Sequence, residues 1–217
     1  MGVATFFILS GFLLAYKYPQ QKSFSIRWFA KRWISISAFY YVALIVIMVL
    51  FDKQTYSGSP FKQFFYHAFF VDFVNPQTAF AVISSAWFLI PLVGLYLLYP
   101  YLNRFISKNL TYLFIAFIIA DLYRIYNPAF TSYNPIFFFG EFCFGIALAN
   151  HQESKALAIS LLSVIINPLM LIPYLLFFSI YSFDLAFIPQ SIAHFIGKHT
   201  ITIFLYHEAF MKVCVDK

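Results

Sequence analysis

The feature that most constrains this chain is the recurrence of apolar runs close to twenty residues long, each bounded by Pro, Asn or a charge. A helix rising about 1.5 Å per residue needs about twenty apolar residues to cross some 30 Å of hydrocarbon. The runs are Gly2–Tyr16, Trp33–Phe51, Trp87–Leu102, Leu110–Tyr126, Pro135–Ala149 and Thr200–Val215. A further stretch, Lys155–Phe183, is interrupted by Asn167-Pro168 and by Pro173, and reads as one kinked span. The pattern predicts an all-α polytopic transmembrane bundle of about seven spans, forming a single integral-membrane domain over residues 1–217. Composition excludes a water-soluble globule, because 62% of the residues are apolar and only 10% charged, too few to coat a wet surface. The two cysteines, Cys143 and Cys214, lie in apolar runs and read as buried free thiols, not a disulfide framework.

Charge placement orients the spans. Lys17, Lys22, Arg27, Lys31 and Arg32 form the densest charge in the chain, which the bias of basic residues toward the cytoplasm places inside. Asp52–Phe61, with Gly58 and Pro60, is then an external turn. The stretch Lys62–Phe73 is short for a crossing and carries His67 and Asp72. If it lies in the interface, Arg104, Lys108 and Lys155 all share the cytoplasmic side; if it crosses, Arg104 and Lys108 face outward. The net charge of +6 reflects this topology, and the chain is not expected to bind nucleic acid.

Ionisable groups inside apolar spans are the candidates for function. Asp121 and Arg124 stand one helical turn apart, the spacing of an intrahelical ion pair. Glu141 lies between Gly140 and Gly145, where it is either satisfied by a neighbouring helix or functional. His207 and Glu208 lie in the last run, and an embedded histidine either bonds a carbonyl or transfers protons near neutrality. His67, His151, His194 and His199 read as interfacial residues, and no HxH or HxxxH pair in the spans suggests a metal. Neither a G-x-S-x-G nor a P-loop motif is present. The loops are short, so any chemistry must lie between helices or at their mouths.

Four stretches in order resemble the acyltransferase-3 family of polytopic membrane O-acyltransferases. GVATFFILSGFLL resembles the family's glycine- and phenylalanine-rich span, through Gly2, Phe6, Phe7, Ser10, Gly11 and Phe12. WFAKRWISISAFYY is similar to its aromatic pair and paired basic residues, Lys31 and Arg32. SSAWFLIPLVGLYLLYP matches a W-F-L and Y-L-L-x-P signature at Trp87, Tyr96 and Pro100, and IGKHTITIFLYHEAF resembles the family's ending, with His207 in register. Ser35 and Ala38 stand where the family pattern has a further arginine and a proline.

The resemblance implies transfer of an acyl group, usually acetyl, from cytoplasmic acyl-CoA to a hydroxyl of a cell-surface glycan or lipid-linked sugar, with no bound cofactor and no metal. It implies that Lys31 and Arg32 meet the donor's phosphates, that His207 is auxiliary, and that the bilayer of a bacterial inner membrane is the setting. The family fold has about ten spans against about seven here, and its main histidine lies on a helix ahead of the Gly2–Tyr16 span. An N-terminally truncated member is therefore expected, inactive by itself. The alternatives are a catalytically incomplete membrane remnant, whose phenotype would not depend on Arg32 or His207, and a flippase component, which would need no acyl-CoA.

Overall fold

In the computed structural model the described residues are 2–21, 23–50, 60–69, 87–127, 134–150, 152–166, 168 and 171–182. Among them the regular structure is helical, with no strand. The helices are α1 (Gly2–Lys17), α2 (Ile26–Leu50), α3 (Pro60–Ala68), α4 (Leu89–Lys108), α5 (Thr111–Tyr126), α6 (Phe139–Ala149), α7 (Glu153–Ile166) and α8 (Leu171–Ser182). A 3-10 turn, Pro135–Phe138, leads into α6; the side chain of Asn134 caps it by accepting from the Ile136 N–H at 2.9 Å. The chain divides into two compact units, residues 1–29 with 91–185 and residues 30–90 with 186–217.

Two helical stretches are long and apolar enough to cross a membrane, Ile26–Val46 in α2 and Leu89–Lys108, which is α4. Val3–Lys17, Pro135–Ala149 and Ser154–Ile165 are apolar but shorter. The expected count of about seven spans is thus not reached among the described residues, because several apolar runs fold as helices shorter than the hydrocarbon thickness. The expected single kinked span over Lys155–Phe183 is corrected to two helices, α7 and α8. Pro168 lacks the N–H that a continuing helix needs and disfavours helical backbone at the residue before it. Pro173 falls in the first turn of α8, where a missing N–H does no harm. Helix α4 runs through Pro100 to Lys108, past the expected end at Leu102. The run Thr200–Val215 lies outside the described residues.

The core of the first unit is α6, buried at every position from Gly140 to Leu148. A helix this apolar on all sides belongs inside a bundle. Its closest neighbour is α1, and two glycines set the separation. A Cβ on Gly11 would collide with the backbone carbonyl of Phe142, and one on Gly145 with the carbonyl of Ile8 and the amide of Phe12. Small residues here let the two backbones touch. Phe7, fully buried, stacks on Phe138 with ring centroids 4.3 Å apart, and Gly94 of α4 accommodates the ring of Pro135 in the same way.

Hydrogen bonds also align the helix ends. The Tyr99 hydroxyl lies 3.0 Å from the carbonyl of Leu14 and 2.9 Å from that of Tyr18, and the Asn103 amide donates to Pro19 O at 3.1 Å. Asn150 donates to Asn103 Oδ1 at 3.4 Å. The C-terminal ends of α1, α4 and α6 therefore lie together, and Arg104, Lys108 and Lys155 join Lys17 and Arg27 at one end of this unit. In the second unit, α3 is held to α2 by the Tyr40 and Tyr41 hydroxyls, which donate to the carbonyls of His67 and Ala68 at 3.2 and 2.8 Å. Those are among the last carbonyls of α3, which have no partner within the helix.

If the α1–α6 spacing depends on the two glycines, Gly11→Val and Gly145→Val should each destabilise the protein by about 1–3 kcal/mol through overpacking. Thermal unfolding in detergent measures this, and Leu13→Ala, at an exposed position of α1, should leave the midpoint unchanged.

Candidate functional site

Five polar side chains from four helices meet inside the first unit. Asp121 and Arg124 come from α5, Glu141 from α6, Ser163 from α7 and Tyr174 from α8. Arg124 is the hub. Its Nη1 donates to Asp121 Oδ1 at 3.0 Å, and its Nη2 lies 2.6 Å from both carboxylate oxygens of Glu141 and also donates to the Phe137 carbonyl. The second oxygen of Asp121 accepts from Ser163 Oγ at 2.7 Å, and Glu141 Oε1 accepts from the Tyr174 hydroxyl at 3.0 Å. The guanidinium also lies 5.0 Å from the centroid of the Phe137 ring. Glu141, Tyr174, Asp121 and Ser163 are all at most 2% exposed, so these bonds form away from solvent and each is correspondingly strong.

The intrahelical pair expected from the spacing is present, and it is half of a larger network. Arg124 reaches past Asp121 to the next helix, so Glu141 is satisfied by a neighbour. Sequence reading missed Ser163 and Tyr174. The available signals were a hydroxyl at each of Ser160 and Ser163, one turn apart in an apolar helix, and a lone Tyr in the apolar opening of α8. Pairwise contact across helices leaves no trace in one sequence.

All four carboxylate oxygens already accept hydrogen bonds, which suits a structural clamp more than a reacting group. A cavity of about 160 Å³ lies alongside, lined by Phe114, Phe117, Ile118, Asp121, Leu122, Ile159 and Ser163. Among the described residues no group of three or more His, Cys, Asp or Glu stands ready for a metal.

The motif residues distribute as follows. Gly2 opens α1; Phe6 packs edge-on against Phe7 at 6.0 Å, and Phe12 stacks on Tyr16 and meets Phe177 edge-on at 5.8 Å. Ser10 is buried, Tyr96 lies 6.2 Å from the Phe142 ring, and Pro100 is buried within α4. Gly11, Phe12 and Tyr96 thus meet α6, on which Glu141 itself lies. Trp87 sits in the 3-10 turn just before α4, in the second unit. Lys31 and Arg32 lie on α2 in the second unit, Lys31 exposed and Arg32 partly so. His207, the auxiliary candidate, lies outside the described residues.

The described residues are helical, with a buried ion-pair clamp and two helices long and apolar enough to cross a membrane. The chain belongs to the acyltransferase-3 family, whose acyltransferase domain matches residues 1–189. Comparison with the curated proteins and with the solved structures finds no match.

Removing the shared cation should be far worse than removing every charge of the cluster. Arg124→Ala leaves the buried Asp121 and Glu141 carboxylates without their partner and should cost about 3–5 kcal/mol; Glu141→Ala keeps the Asp121–Arg124 pair and should cost less, and Arg124→Met with Glu141→Met and Asp121→Leu should recover most of the loss. Ser163→Ala should cost about 1 kcal/mol, the ordinary worth of a hydrogen bond. Chemical unfolding in detergent, monitored by the intensity of near-ultraviolet circular dichroism, reads all four.

Proposed function

We propose that this protein is a membrane-bound acyltransferase that moves an acyl group, acetyl in the simplest case, from acyl-CoA to a hydroxyl of a surface glycan or lipid-linked sugar. The family match over residues 1–189 carries the acyltransferase reading; donor and acceptor follow from the resemblance of the motifs around Lys31, Arg32 and His207. The bundle is proposed to hold about seven spans in the membrane, in a bacterial inner membrane.

The reaction needs three things. A base accepts the proton of the attacking hydroxyl, whose oxygen then bonds to the thioester carbonyl carbon. The tetrahedral intermediate carries an oxyanion that must be stabilised, and its collapse breaks the C–S bond and releases the thiolate, which takes up a proton to leave as free CoA. Histidine suits the proton transfers near pH 7, and His207 is assigned an auxiliary part in them. Lys31 and Arg32 are assigned to the donor's phosphates, which an ammonium and a guanidinium recognise by charge-assisted hydrogen bonds. The exposure of Lys31 at the start of α2 supports that assignment.

Membranes containing the native protein should transfer radiolabel from acetyl-CoA to an endogenous glycan. Lys31→Gln with Arg32→Gln should raise KM for the donor about tenfold while leaving kcat near its original value, and His207→Ala should lower kcat. Label transfer that is unchanged by deletion of the protein, or a phenotype that persists without any acyl-CoA, would overturn the proposal.

A further inference from the structure

The same hydrogen bonds that align α1, α4 and α6 assemble a surface that the acyl-transfer reading does not use. Lys17, Arg27, Arg104, Lys108 and Lys155 come from four helix ends of the first unit, those of α1, α2, α4 and α7, and all are exposed. Asn103 bonds Pro19 O, which sets Arg104 beside the segment carrying Lys17. Asn150 bonds Asn103, which brings the start of α7 and Lys155 to the same level. Lys108 closes α4 one turn beyond Arg104, about 6 Å further along the axis. The stretches 14–32, 99–112 and 150–157 contain a single acidic residue, Glu153. Both ion pairs between described residues belong to Arg124, in the interior.

Aromatic side chains stand at the same level. Tyr16, Tyr101, Phe105 and Tyr112 are all exposed, and the Phe105 and Tyr112 rings lie 5.1 Å apart across the α4–α5 turn. Exposed Tyr interleaved with cations is the composition of a membrane–water boundary, where an aromatic body sits among lipid tails and a cation among headgroups. Trp28 stacks on Tyr99 at 5.6 Å, and its buried indole Nε1–H has no acceptor among the described residues. That leaves one more donor at this end.

We infer that this basic end of the first unit binds the headgroup of an anionic phospholipid, with the phosphodiester held between Arg104, Lys108, Lys155, Lys17 and Arg27. A phospholipid supplies both partners the surface calls for, a negative phosphate for the cations and acyl chains for the neighbouring aromatic rings. A soluble polyphosphate such as coenzyme A supplies the phosphates but no pair of acyl chains to lie along a ring of exposed aromatics. The inference stands apart from the acyltransferase proposal, since it concerns binding and is read without any transfer of acyl groups.

The test uses the full chain extracted in mild detergent, with phosphatidylglycerol and phosphatidylcholine of identical acyl chains added as probes and bound lipid counted by native mass spectrometry. Retention of phosphatidylglycerol should exceed that of phosphatidylcholine about fivefold, and the preference should shrink as salt rises. Arg104→Gln, Lys108→Gln and Lys155→Gln together should abolish the preference without shifting the unfolding midpoint. The swap Arg104→Lys with Lys108→Arg should keep it. Equal retention of the two lipids would overturn the inference, as would a preference untouched by the triple substitution. Displacement of phosphatidylglycerol by micromolar coenzyme A would also overturn it, by assigning the surface to a soluble donor.

Discussion

The guanidinium of Arg124 holds the first unit's inner helices in one arrangement. It bonds two carboxylates on different helices and a carbonyl of the turn between them, and through those carboxylates it reaches a hydroxyl on each of α7 and α8. A planar fork with five donors is the one side chain able to do this, and lysine has neither the geometry nor the number of bonds. Apolar packing between helices is tolerant of sliding, because leucine slides past leucine at little energetic penalty. A multidentate ion pair is not tolerant, since displacement by an ångström leaves charge unpaired in a medium that cannot solvate it. Register in this bundle is therefore set by polar bonds, and cohesion by apolar contact.

The glycine contacts have a complementary role. They let α1 approach α6 until backbone meets backbone, which places Phe7 where it can stack on Phe138 at the foot of α6. Two motif stretches far apart in sequence, around Gly11 and around Tyr96, meet the same helix for this reason. Phe7, Gly11, Phe12 and Tyr96, four of the family's signature residues in the first unit, build this packing. That explains why short, mostly apolar motifs can identify a fold without naming a reaction.

Helix positions were legible because apolar runs and their Pro, Asn and charged boundaries are local features. The ends were less so. Helix α4 continues past Pro100 to Lys108 although Tyr101–Lys108 holds few strong helix formers, its side chains Asn103 and Phe105 making tertiary contacts there, and α2 starts at Ile26, with Arg27, Lys31 and Arg32 extending it beyond its apolar stretch. Charge placement does not mark where a helix begins. The Asn167-Pro168 break was visible but read as a kink, since one sequence does not distinguish a bent helix from two short ones. Of the buried network, the Asp121–Arg124 spacing was readable because it is a helical turn. The partners Ser163 and Tyr174 were not, because their meeting depends on how helices distant in sequence are laid side by side.

The Tyr99 hydroxyl has one proton and two carbonyls within reach, those of Leu14 and Tyr18. The two distances are those of a proton shared in a three-centre bond, and Leu14 O also accepts from the Tyr18 N–H at 2.8 Å. One hydroxyl on α4 thus pins both ends of the turn by which α1 gives way to the basic segment, as a single staple closes two sheets.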